Sequence, residues 1–204
     1  YEATAISPID GSHARIDILR KVKGLEAWDL IEVKSSTQVK DYHIDDMSFQ
    51  YHAFSAAGYQ INKCYMMLID NTYIRSGEID VQSLFKLEDI SDQVHQKQKN
   101  MMSHVKKLLI ALDLKTEPKE EIGARCNKPF ECDYISHCWK KVPEYSIFNI
   151  FSAKKSDAIV KITKSYEVKD IPFKFIPGGT KQIDIEAFLT GHIMEDKVSI
   201  NAFV

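Results

Sequence analysis

Four polar side chains stand where their neighbours are apolar. Asp17 lies between Ile16 and Ile18; Glu32 and Lys34 are two apart, interleaved with Ile31 and Val33; Gln50 falls three after Met47 and four before Phe54. Residues two apart on a strand point to one face, so Glu32 and Lys34 project together and Ile31 and Val33 are expected on the opposite, core-facing side. A hairpin would bring the Asp17 carboxylate alongside that of Glu32. Two carboxylates beside an ammonium suit phosphodiester hydrolysis, because a hard divalent cation such as magnesium binds oxygen ligands and keeps several waters. Such an ion activates water and neutralises charge building on the phosphate, while lysine adds a compact positive charge. Gln50, on the helix face expected against the sheet, needs a partner that a site ligand or a substrate phosphate can supply. An E-x-K triplet alone is commonly an exposed ion pair; its combination with Asp17 and Gln50 singles it out.

A second constellation is Cys126, Cys132 and Cys138, each separated from the next by five residues. Clustered soft thiolates suit zinc or an iron-sulfur cluster far better than magnesium, and unligated thiols are the plain alternative. Three ligands are one short of a filled site. Cys64 sits in an apolar run and reads as a small buried hydrophobe. His137 could complete a zinc site, but it adjoins Cys138, and adjacent residues rarely reach one ion together; a cysteine before Tyr1 would fit better.

The positioning elements follow from periodicity. Alternation over 14–22 and 28–34, with a glycine-containing turn at 23–27, predicts a β-hairpin. Asp45 and Asp46, read as an acidic N-cap in front of Met47, Gln50, Tyr51, Phe54 and Gly58 at helical spacing, predict a helix over 46–59. Residues 63–70 and 79–87 read as strands, and 91–112 as the longest helix, with Val94, Met101, Val105, Leu108, Leu109 and Leu112 on its apolar side. The expected order is β-β-α-β-β-α. Beyond Leu114 come Pro118, Gly123, Pro129, the three cysteines and Trp139 with no sustained period, as in a loop-rich, metal-stapled module. Two weak helical stretches, 145–151 and 156–162, the breakers Pro172 and Pro177-Gly178-Gly179, and an amphipathic piece over 184–190 complete the chain.

At 204 residues the chain is long enough for a real core, and without an apolar run of membrane-spanning length it is expected to be a soluble, cytoplasmic protein. A net charge of −2 argues against coating nucleic acid by bulk electrostatics, though not against a local groove. Lys97, Lys99, Lys106 and Lys107 form a basic run on one expected helix, which reads as a solvated face. Tyr1 rather than Met at the start, with no signal-like segment, suggests a piece of something longer.

Arg-Ile-Asp-Ile-Leu at 15–19, Leu-Ile-Glu-Val-Lys-Ser-Ser at 30–36 and Phe-Gln-Tyr-His-Ala-Phe at 49–54 resemble the aspartate, E-x-K and glutamine motifs of RecB-like PD-(D/E)XK nucleases. The resemblance implies a mixed α/β restriction-endonuclease-like core, with a central sheet flanked by helices and a loop-rich cysteine module. It makes Asp17, Glu32 and the main-chain carbonyl of Val33 ligands of magnesium or manganese, Lys34 catalytic, and Gln50 an orienting residue. The family motif has a tyrosine four residues after the glutamine, where this chain has Phe54; a histidine ligand used by many members would lie before Tyr1. Gly-x-x-Cys-x-x-Pro-x-x-Cys from Gly123 and His-Cys-Trp at 137–139 resemble the iron-sulfur members, among them CRISPR-associated exonucleases and AddB-type helicase-nucleases. There Cys126, Cys132 and Cys138 would be three of four ligands of a structural four-iron four-sulfur cluster, with zinc as the alternative.

In the proteins of closest resemblance such a domain precedes an RNase H-like exonuclease domain. The implied organisation is a nuclease domain over 1–142, including the cysteine module 123–139, and a helical connector over 143–204. The implied function is hydrolysis of DNA at ends or in single strands, in repair or defence against foreign DNA. Rival expectations are a module that kept the fold and binds nucleic acid for a partner domain, and a zinc-dependent interaction domain. Retention of Asp17, Glu32 and Lys34 together favours catalysis.

Overall fold

The computed structural model describes residues 1–176 and 178–192. The chain forms two compact units, residues 1–118 and 119–204. The division falls at 118/119 rather than at the expected 142/143, so the cysteine segment groups with the helical tail.

The first unit is mixed α/β. Its strands are β1 (Ala3–Ile6), β2 (His13–Ile16), β3 (Ile18–Lys21), β4 (Trp28–Lys34), β5 (Ile61–Ile69) and β6 (Phe85–Asp89); its helices are α1 (Asp41–Ala56), α2 (Val81–Leu84) and α3 (Ser91–Leu112). β1 and β2 form an antiparallel pair, and β3-β4-β5-β6 form a mixed sheet in which β4 and β5 are parallel and the outer pairings antiparallel. Parallel neighbours require a crossover, and α1 supplies it. The E-x-K strand, the glutamine helix and β5 are thus one β-α-β unit.

The expected strand over 14–22 is two strands broken at Asp17. Its upstream half pairs with β1, absent from the sequence reading, through Ala3 on Ile16 to Ile6 on His13. Its downstream half pairs with β4 through Ile18 on Ile31. Switching partners at Asp17 takes that residue out of the pairing with β4, while its carbonyl still accepts the Glu2 N–H at 2.8 Å.

The helix begins at Asp41, one turn before the expected start. His43 and Ile44 extend the buried stripe upstream of Met47, and His43 Nδ1 accepts the Lys40 amide at 3.2 Å, satisfying an end-of-helix donor. Asp45 and Asp46 therefore lie inside α1 and are not its caps. Its C-terminus is a Schellman turn: Gly58 has φ +94°, Tyr59 N–H donates to Phe54 O at 3.1 Å and Gly58 N–H to Ser55 O at 3.1 Å.

The expected strand 79–87 is helical in its first half, because Asp80 accepts the amides of Gln82 and Ser83 at 3.0 and 3.4 Å and so caps α2. Alternation there lost to a local cap. Helix α3 spans the expected residues, with Val94, Met101 and Val105 buried, whereas Leu108, Leu109 and Leu112 are exposed.

One core joins the sheet to both long helices: Leu30, Cys64, Met66 and Leu68 from β4 and β5, Met47, Ala53 and Phe54 from α1, and Val94 from α3. Leu30 pairs with Cys64 and Glu32 with Met66, so Glu32 lies on the face that the helices cover. This reverses the expected facing of β4. Glu32 is 7% exposed and Val33 36%; Ile31 is buried on the other face. Leu30 rather than Val33 supplies the apolar contact to α1, because Leu30 shares its face with the apolar side of β5.

The second unit contains α4 (Ile135–Cys138), α5 (Ile147–Ile150), α6 (Ala153–Thr163), α7 (Thr180–Thr190) and short 3-10 turns. The helical stretches expected at 145–151, 156–162 and 184–190 correspond to the last three. They do not merely connect: Ile147, Ile150, Phe151, Ile159, Val168, Ile171 and Ile185 form a core of their own. The breaker Pro177 and the expected connector's residues 193–204 lie outside the described residues.

Candidate active site

Asp17 reaches the edge of β4, where its Oδ2 accepts the Val33 N–H at 2.8 Å. The ladder between β3 and β4 stops at Ile18 and Ile31, so the next outward-pointing amide on that side of β4 has lost its strand partner, and a carboxylate replaces it. A strand residue directs its N–H and C=O to the same side, which brings the Val33 carbonyl toward the Asp17 approach as well. Continuing the register places Asp17 across from Glu32.

Glu32 is held on both oxygens. Lys34 Nζ lies 2.7 Å from Oε1, and Gln50 Nε2 donates to Oε2 at 3.2 Å. Helix α1 adds a carboxylate that sequence reading missed: Asp46 Oδ2 is 3.1 Å from Lys34 Nζ, and its Oδ1 is 3.5 Å from Gln50 Nε2. The sign was present, since Asp46 is four residues before Gln50 and helical residues at that spacing share a face; assigning Asp46 to a cap hid it. The four groups form a closed ring of one ammonium, one amide and two carboxylates.

Burial works against the charge on Lys34, but its bonds to Glu32 and Asp46 outweigh that and raise its pKa above the ordinary lysine value. Lys34 therefore stays an ammonium at neutral pH. His43, one turn before Asp46 and buried, has its pKa lowered by burial and by the nearby Lys34 and Lys40 charges, against a smaller opposing pull from Asp46. Gln50 is 5% exposed, and its Oε1 is buried without a hydrogen-bond partner. With Nε2 fixed by two carboxylates, the amide cannot flip to relieve this. An orphaned acceptor at this spot invites a water or a cation.

The carboxylates of Asp17 and Glu32, with the Val33 carbonyl on the same side, are the hard oxygen donors that magnesium or manganese takes. The donor set fits such an ion in kind. Among the described residues no group of three or more His, Cys, Asp or Glu side chains is placed to hold a metal. Glu2 is in an exposed ion pair with Arg15 at 2.8 Å.

In the second unit, Cys126 closes a 3-10 turn (Ala124–Asn127), and Cys132 N–H donates to Cys126 O at 2.8 Å; Cys138 ends α4, with its N–H on Tyr134 O at 3.0 Å. All three are free thiols, Cys132 exposed and the others half-buried. Gly123 is needed because the turn is pinned by Asp157 of α6, which accepts the Ala124 N–H at 3.0 Å; a Cβ at Gly123 would collide with that carboxylate. Three thiols suit zinc or an iron-sulfur cluster by chemistry. Cys64 is fully buried in β5, and burial pushes its thiol up to about 12, as expected of a core residue.

The chain matches no family model and no curated protein. Among the described residues no helix is long and apolar enough to cross a membrane. Of the expected basic run, Lys97 pairs with Asp45 of α1 at 2.5 Å and so joins α3 to α1, while Lys99, Lys106 and Lys107 are exposed.

Proposed function

We propose that residues 1–118 are a divalent-metal-dependent nuclease domain of the RecB-like PD-(D/E)XK kind, which hydrolyses DNA phosphodiester bonds at ends or in single strands. The observation that carries this reading is the convergence of Glu32, Lys34 and Gln50 within hydrogen-bond reach, beside an Asp17 anchored on Val33. Three sequence segments that resemble separate family motifs thereby meet at one place. The mixed sheet, with α1 crossing between parallel β4 and β5, supports the same reading.

In that function Asp17, Glu32 and the Val33 carbonyl would hold magnesium or manganese. When bound, the ion supplies an acidified water and Lewis-acid stabilisation of the phosphate oxygens. Lys34 places a fixed positive charge where negative charge develops on the phosphate, and holding it on α1 and β4 before substrate arrives removes a reorganisation cost. Gln50 orients Glu32 through Oε2 and keeps an acceptor for a water or a substrate group.

Cys126, Cys132 and Cys138 are proposed as ligands of an iron-sulfur cluster, or of zinc, with a fourth ligand outside this segment. That assignment, an RNase H-like neighbouring domain and a role in repair or defence rest on the sequence resemblance alone, and a cytoplasmic setting on the sequence composition.

The reading is tested by incubating the full chain with end-labelled single-stranded DNA, linear duplex and closed circular duplex, with magnesium, manganese or chelator. Metal-dependent release of short products from the single strand or the linear duplex is expected. DNA binding without cleavage under every metal condition would replace the nuclease with a binding module.

A further inference from the structure

Both carboxylate oxygens of Glu32 are occupied, Oε1 by the Lys34 ammonium at 2.7 Å and Oε2 by the Gln50 amide at 3.2 Å. A divalent cation at Glu32 and an ammonium on the same carboxylate repel each other strongly at contact distance. Lys34 must then leave Oε1, yet a buried or half-buried ammonium needs a counter-charge. One is already in place. Asp46 Oδ2 lies 3.1 Å from the same Nζ, on a helix fixed at both ends and packed on the sheet core. Its other oxygen faces Gln50 Nε2 at 3.5 Å, so the amide too retains a partner if Glu32 turns away. The unpartnered Gln50 Oε1, buried in the same place, marks the ring as one group short of saturation without a ligand.

We propose that Asp46 is a positioning residue that retains the Lys34 ammonium when a divalent ion claims Glu32. Metal entry and lysine positioning are then one exchange: the ammonium, shared between the carboxylates of Glu32 and Asp46, passes to Asp46 alone and remains beside the ion. Asp46 touches neither the phosphate nor the metal in this arrangement; it acts through Lys34. The inference rests on the metal-dependent reading of the site, but its test needs no cleavage.

Manganese binding to the full chain is measured by calorimetry for wild type, Asp46→Asn, Lys34→Met and the double variant. Without Asp46 the ammonium competes harder for Glu32, so Asp46→Asn should weaken manganese affinity by roughly fivefold, the scale of coupling between neighbouring charged groups. Lys34→Met removes the competitor and should bind manganese at least as tightly as wild type. In the Lys34→Met background Asp46→Asn should have no further effect, whereas Asp46→Glu in the chain that retains Lys34 keeps the carboxylate and should hold affinity within about twofold of wild type. An equal loss from Asp46→Asn in both backgrounds would make Asp46 a direct ligand or a mere long-range charge and overturn the proposal. Wild-type affinity in the single Asp46→Asn variant would overturn it while leaving the nuclease reading standing. Absence of manganese binding by wild type removes the metal site, and with it both the exchange and the reading on which it rests.

Discussion

Replacing Glu32 with alanine should destabilise the first unit even without metal. The carboxylate is 7% exposed on the helix-covered face of β4 and bonded on both oxygens. Its removal leaves Gln50, already short of one partner, with a single long contact to Asp46 at 3.5 Å. A buried polar group deprived of its partner costs about 1–3 kcal/mol. The larger penalty of about 3–5 kcal/mol for a stranded buried charge does not apply in full. Lys34 keeps Asp46 at 3.1 Å, and its side chain is 27% exposed, so water can reach it. A loss of about 2 kcal/mol is therefore expected, or about 8 °C in the melting midpoint of a unit this size. Urea unfolding followed by Trp28 fluorescence, with Trp139 of the second unit replaced by phenylalanine, isolates the first unit. In a Lys34→Met background the same substitution should cost about 1 kcal/mol less, the coupling of the pair. A cost below about 0.5 kcal/mol, or equal costs in the two backgrounds, would refute the buried ring.

Other consequences can be checked separately. Phe54, fully buried between α1 and the sheet, should cost about 3–5 kcal/mol on Phe54→Ala, read as a fall in the urea midpoint. Asp10, in the turn between β1 and β2, is bonded to His52 of α1 at 2.7 Å; burial pushes its pKa up, but His52, the Ser12 amide and Ser7 together hold it well below the usual carboxylate range. A depressed folded value stabilises above the unfolded pKa of about 3.9 and is lost on acidification below it. Asp10→Asn should therefore lower the melting midpoint near neutrality by more than at pH values below about 4, and a constant difference would contradict the pairing. Gly58→Ala should cost about 1 kcal/mol, since its φ of +94° strains a side chain. If Cys132 is a ligand, Cys132→Ser should lower both bound iron or zinc and thermal stability of the anaerobically prepared full chain; unchanged metal content in the variant would contradict it.

Much of this architecture was legible because its signals are local. α3 was legible end to end, from a sustained 3.6-residue pattern opened by Ser91. The grouping of Asp17, Glu32, Lys34 and Gln50 was legible because each interrupts an apolar stretch. Partner choice in the sheet was not: alternation over 14–22 is equally compatible with one strand or two, and the break at Asp17 depends on β1 capturing the upstream half. The facing of β4 was misjudged for a related reason, since Leu30 and Ile31 are both apolar and the faces are decided by β5, where Cys64, Met66 and Leu68 line up under α1. The first turn of α1 escaped because its buried residue is the polar His43, and with it went the placement of Asp46. In the second unit the isoleucines are spread over α5, α6, α7 and a 3-10 turn (Val168–Asp170), a core with no single period to detect.

The central claim is most directly tested by single-turnover cleavage of end-labelled DNA in saturating manganese, comparing wild type with Lys34→Met and measuring manganese affinity on the same samples. Removing a preorganised charge from the reacting phosphate should slow cleavage by at least about a hundredfold while manganese binding persists. Cleavage by Lys34→Met at the wild-type rate would contradict the assignment of this ring as the active site.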